Sequence, residues 1–154
     1  MLRLAAIAAL SLSACATAYQ PSGLTGGYDV SAITPTRAIV SFTGNGYTSP
    51  DRVAQYVMLA AAETTHQRGF GHFAVIDETD ASRTDLVFSS YSALNYGSGD
   101  ATGYSVGGAS GVVFPKTRLT IEMFPGAKPA DAPGNVFNAV DVINTIRPQI
   151  AARS

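Results

Sequence analysis

Four stretches of the chain combine residue types at spacings that known chemistry uses. Gly44-Asn45-Gly46 follows the apolar run Ala38 to Phe42 and leads through Tyr47 and Ser49 into a helical pattern. A glycine turn at that junction can offer backbone N–H groups to a phosphate, and Asp77 follows about 30 residues on, at the end of the next strand-like run. Two substitutions argue against a dinucleotide. Ser49 stands where the fingerprint has its third glycine, and Pro50 removes an N–H where a pyrophosphate would rest. Asn45-Gly46 is also a common pair in left-handed turns. The turn is therefore expected to be structural, with a small ligand or anion at Gly44–Ser49 as the alternative. Gly103-Tyr104-Ser105-Val106-Gly107 has the GxSxG pattern of a hydrolase nucleophile, which requires a strand-to-helix elbow and a histidine base. The two histidines, His66 and His72, both precede Ser105, the reverse of the hydrolase order, so a serine hydrolase would rest on Ser105 alone. Glu63-Thr64-Thr65-His66 has the ExxH spacing of a di-iron bundle, which needs two such motifs and two further glutamates on four helices; only one ExxH motif is present. Asp77, Glu78, Asp80 and Asp85 miss the calcium-loop spacing and read as a solvated acidic turn. No catalytic set is complete, and neither a metal nor a cofactor is expected.

The single cysteine, Cys15, has the most informative neighbours. Arg3 supplies a positive charge, Leu4 to Leu12 is apolar, and Ser13-Ala14 are small, which is the layout of an export signal. The apolar run is about half the ~20 residues that span a bilayer core. Leu12-Ser13-Ala14-Cys15 resembles the bacterial lipobox, in which the cysteine is acylated and becomes the first residue after cleavage. The resemblance implies a signal peptide over 1–14, lipidation of Cys15, and a cell-envelope location facing the periplasm. Ala16, where an aspartate would retain the protein in the inner membrane by the enterobacterial rule, favours the outer membrane. One cysteine also precludes an intramolecular disulfide and a Cys-based zinc site. With 10 basic and 11 acidic residues in 154, there is no positive excess to attract nucleic acid.

Positioning these residues falls to a modest set of elements. Ala16 to Gly27 is small, polar and glycine-containing, so it reads as a flexible tether, with a single domain over 28–154. Strands are expected over Tyr28–Ile33, Arg37–Thr43, His72–Ile76, Asp85–Leu94 and Lys116–Phe124. Ser49-Pro50-Asp51 opens a helix and Arg68-Gly69 closes it. Between them Val53, Tyr56, Val57, Ala60, Ala61 and Thr64 form one stripe. A last helix is expected over Asn135–Ala152, with Val136, Ala139, Val140, Ile143, Ile146 and Ile150 facing inward and Pro148 bending or fraying its end. Asn95 to Val113 reads as a long mobile glycine- and serine-rich loop exposing Tyr96 and Tyr104. The order β-β-α-β-β-β-α predicts an α+β sandwich, with both helices on one face of a mainly antiparallel sheet.

Taken with the LSAC box, "VSFTGNGYTSPDRVAQYVMLAAAETTHQRGFGHFAVID" and "RLTIEMFPGAKPADAPGNVFNAVDVINTIRPQI" closely resemble a family of small proteobacterial envelope lipoproteins of uncharacterised function. Its members carry a GNGYTS turn before a helix and a late FPG-x-x-P segment. The resemblance implies membership and envelope location, and brings no catalytic residues. The reading is a lipid-anchored, non-enzymatic module that binds an envelope partner or serves in assembly.

Overall fold

The computed structural model describes residues 15–92, 105–131 and 135–152. The expected signal peptide over 1–14 lies outside them, as do Tyr96, Gly103 and Tyr104. The fold is α+β. Strands β1 (Gly27–Ala32), β2 (Arg37–Thr43), β3 (His72–Asp80), β6 (Lys116–Phe124) and β7 (Val136–Asn138) form an antiparallel sheet in the order β1-β2-β6-β3-β7. Strands β4 (Arg83–Ser92) and β5 (Ser105–Phe114) pair with each other as a two-stranded arm. Helices α1 (Pro50–Gln67) and α2 (Ala139–Ala151) pack on each other; α1 lies across the sheet, and α2 meets it at β7.

Strand alternation decides which face α1 covers. Ala38, Val40 and Phe42 of β2 and Leu119, Ile121 and Met123 of β6 are buried, while Arg118 on the opposite face is exposed. On that outer face Arg37 pairs with Glu122. Helix α1 starts as its sequence dictates: Ser49 Oγ accepts the Arg52 N–H at 3.3 Å and Pro50 occupies the first turn. A cap of this kind contributes about 1 kcal/mol. At the other end Gly69 has φ +82°, and its N–H and that of Phe70 donate to the carbonyls of His66 and Thr65, the bond pattern of a Schellman stop. All six residues of the expected stripe are buried, and so are Leu59, Ala62 and Thr65. The helix is covered on a second side by α2, which a single stripe does not anticipate. The buried hydroxyls of Thr64 and Thr65 donate to the carbonyls of Ala60 and Ala61, so neither is left unsatisfied.

Several boundaries differ from expectation, each for a tertiary reason. Strand β3 continues past Ile76 to Asp80, because a bulge between Val75 and Asp77 lets its acidic half keep pairing with β6. The supposed acidic turn is thus a solvated strand, with Asp77 accepting from the Thr79 hydroxyl and Asp85 paired with Arg83 at 3.6 Å. Residues 105–113, expected within a loop, belong to β5, which pairs residue for residue with β4 from Arg83↔Phe114 to Ser92↔Ser105. Val136–Asn138, expected to be helical, add a short strand to β3, and Asn138 Oδ1 then accepts the Asp141 N–H to cap α2. Of the residues expected on the inner face of α2, Ala139 is buried while Val140 is 43% exposed. The helix continues through Pro148 to Ala151.

The largest difference concerns residues 16–27. Expected as a free tether, they form a strap lying on the domain. Thr17 is 2% exposed, and the ring of Tyr19 stacks on Tyr28 with centroids 5.1 Å apart and meets Tyr56 edge-on at 5.6 Å. The strap reverses through Gly26 and Gly27, with φ +99° and +131°, and the Tyr28 N–H donates back to the Gln20 carbonyl. Composition alone makes this segment look unable to order. One aromatic ring and two left-handed glycines are enough once β1 and α1 supply a surface.

Candidate functional site: the Cys15 strap and the GNGYTS turn

The turn that resembles a phosphate cradle is a clamp for the strap. Asn45 is its centre. Its Nδ2 donates to the Cys15 carbonyl at 2.7 Å, while its Oδ1 accepts the Tyr47 N–H at 3.1 Å and the Thr48 hydroxyl at 2.9 Å. The Asn45 N–H donates to Thr17 Oγ1, the Thr17 N–H donates to Thr48 Oγ1, and the Thr17 hydroxyl donates to the Thr25 carbonyl. Thr17 and Thr48 are both buried, so this small network has every hydroxyl committed in a region with little water to replace a lost partner.

Those commitments bear on the anion alternative. The N–H groups of Gly44, Asn45, Tyr47 and Thr48 donate to Pro115, Thr17, Asn45 and Asn45 respectively, and the Arg52 N–H to Ser49. An anion drawing on these five N–H groups would have to displace intramolecular acceptors. The glycines have a different role from the one their dipeptide suggests. Neither Gly44 nor Gly46 has a positive φ; a Cβ at Gly44 would lie 2.7 Å from Thr48 Cβ, and one at Gly46 would lie 2.4 Å from Val112 Cγ1. Glycine is required here for close approach, to Thr48 across the turn and to the base of β5.

Cys15 itself is exposed, at the mouth of a groove of about 430 Å³ lined by Asn45, Gly46, Tyr47, Val112 and Phe114. Tyr47 is 77% exposed, and the Arg83 guanidinium lies 4.9 Å from the centre of the Phe114 ring. The site residues named from sequence, Cys15, Gly44, Asn45, Gly46, Tyr47 and Ser49, thus gather at one end of the sheet, with Ser49 facing the helix it caps. Thr17 and Thr48, which complete the clamp, carry no sequence signal beyond a hydroxyl type beside the named residues.

A second latch holds the strap further along. The Tyr19 hydroxyl donates to Glu63 Oε2 at 2.6 Å, and Arg147 of α2 pairs with the other oxygen of the same carboxylate. Glu63, half of the apparent di-iron motif, therefore joins the strap, α1 and α2, while His66 is exposed beyond it. Burial first, and then the bond to the Glu63 carboxylate, hold the Tyr19 phenol well above its ordinary value near 10. The unfolded chain gives up this proton near pH 10 while the folded chain keeps it. The stabilisation is therefore fully present below about pH 10 and is lost as pH rises above it. Thermal midpoints measured from about pH 9 to about pH 11 are expected to fall less steeply for Tyr19→Phe than for the unsubstituted protein; equal slopes would refute the latch's role in alkaline stability.

Ser105 begins β5, opposite Ser92, and is followed by nine further strand residues, so it does not sit on a strand-to-helix elbow. Among the described residues, no three His, Cys, Asp or Glu side chains converge as a metal site would require, and no helix is long and apolar enough to cross a membrane. No protein-family model, curated protein or solved structure matches this chain.

Proposed function

We propose that the protein is a lipid-anchored lipoprotein of the bacterial envelope, periplasm-facing and held in the outer membrane through Cys15. Its α+β domain acts as a non-enzymatic binding or assembly module. The observation that carries this reading is the placement of Cys15: the one thiol of the chain is exposed at the head of a strap whose next residues are fastened to the domain. An acylated cysteine there needs no rearrangement of the fold, and the LSAC sequence before it supplies the processing signal. The resemblance to envelope lipoproteins supports the same reading, because two of the GNGYTS residues that define it, Asn45 and Thr48, fasten the strap.

Metabolic labelling with radioactive palmitate tests the anchor. The protein is expected to take up label and to fractionate with membranes. Cys15→Ser is expected to lose essentially all label and to become soluble in the periplasm. Label that survives the substitution would refute lipidation at Cys15.

A further inference from the structure

We infer that the end of the domain carrying the GNGYTS turn and the base of β5 is a membrane-seating face, with Tyr47 and Val113 entering the lipid interface beside the anchor. The inference rests on lipidation of Cys15 as proposed above. Its own warrant is geometric. An anchor on a free tether would leave the domain without a preferred orientation. Here the Cys15 carbonyl is bonded to Asn45 and Thr17 is buried two residues later, so the anchored residue has no slack relative to the domain. Whatever surrounds Cys15 must therefore meet the membrane surface.

The chemistry of that surround suits a lipid interface. The groove beside Cys15 is lined by Asn45, Gly46, Tyr47, Val112 and Phe114, none of them charged. Tyr47 is 77% exposed and Val113 50% exposed, both large apolar side chains turned to solvent. Tyrosine combines an apolar ring with a polar tip, the combination favoured at the boundary between headgroups and acyl chains. A carboxylate in the lining would oppose entry into that region, and among the described residues the lining has none; Asp85, opposite Val112 in β4, is paired with Arg83. The opposite end of the sheet, at the turn containing Thr34 between β1 and β2, lies about 20 Å away along β2. It should remain in water.

The chain contains no tryptophan, so a single introduced indole reports its own surroundings. The lipidated full-length variants Tyr47→Trp, Val113→Trp and Thr34→Trp would be purified from membranes. Each would be reconstituted into vesicles of phosphatidylethanolamine and phosphatidylglycerol with brominated acyl chains. The expected result is emission shifted to shorter wavelength and quenched by bromine at positions 47 and 113, with water-like, unquenched emission at 34. Protein that floats with the vesicles but has position 47 as unquenched as position 34 overturns the inference and leaves the anchor standing. A shift at 47 without bromine quenching also overturns it, because the groove is then filled from within the protein, for instance by its own acyl chain. Protein whose Cys15 carries no lipid by mass overturns the proposed anchor and this inference together.

Discussion

Phe42→Ala is expected to cost about 3–5 kcal/mol, the range for truncating a fully buried phenylalanine. Phe42 is wholly buried in β2, next to the central strand β6. Its ring meets Tyr56 of α1 edge-on with centroids 4.9 Å apart and lies parallel to Tyr19 of the strap at 6.5 Å. The substitution thus removes the common partner of sheet, helix and strap and leaves a cavity that the two tyrosines fill only by moving. Typical domains have about 5–15 kcal/mol of total stability. A loss of this size takes about a fifth or more of that. Chemical denaturation should show a large fall in midpoint for Phe42→Ala and a smaller one for Phe42→Leu, which retains most of the volume. A Phe42→Ala loss below about 1.5 kcal/mol, the level tolerated for conservative core swaps, would mean that the aromatic cluster is not a unit of the core.

The second large effect is expected at Gly26, and a comparison with Gly69 separates its causes. Both have positive φ, +99° and +82°, so alanine at either position meets backbone strain of about 1–2 kcal/mol. At Gly69 nothing lies within 4 Å of an added Cβ, and the cost should stop there. At Gly26 the added Cβ would lie 2.2 Å from the Thr43 carbonyl oxygen and 3.1 Å from Thr17 Cγ2. Backbone cannot yield as a flexible side chain can. Gly26→Ala is therefore expected to cost about 3 kcal/mol or to detach the strap instead. Proteolysis distinguishes these outcomes: a detached strap is cut rapidly between residues 16 and 26 while the domain survives. If Gly26→Ala and Gly69→Ala are equally mild and the strap stays protected, the close packing of the strap against β2 is refuted.

The elements whose evidence is local could be read from sequence. Helix α1 has its cap in Ser49-Pro50, its stop in Gly69 and its stripe between them, β2 is an apolar run of strand length, and β6 shows its alternation within nine residues. What escaped reading depends on partners far along the chain. The strap has too little apolar surface to order alone, and its fasteners are Asn45, Thr48 and Glu63, some 30 to 44 positions away. Strand β5 lacks a clear period because glycine and serine take five of its first seven positions, so only its register with β4 defines it. Strand β7 is too short to register against the helical pattern that follows it, although Asn138 three residues before Asp141 is a cap that could have marked the true start of α2. The candidate site shows the same division. Cys15 and Asn45 could each be picked out by type and neighbours, but their meeting is a property of the fold.

Strand β6 occupies the middle of the sheet yet comes from the last third of the chain. Both of its neighbours, β2 and β3, are made long before it, and their shared partner is separated from β2 by more than 70 residues. The topology is therefore one of high contact order, in which the cost of closing long loops falls before the reward of pairing. In a chain delivered N-terminus first, the β1–β2 hairpin remains a two-stranded fragment, of marginal stability by itself, until residue 116 and those after it are present. Its inner edge stays open during that interval and is closed by the arrival of β6. The domain is thus kept from completing itself until most of the chain is present.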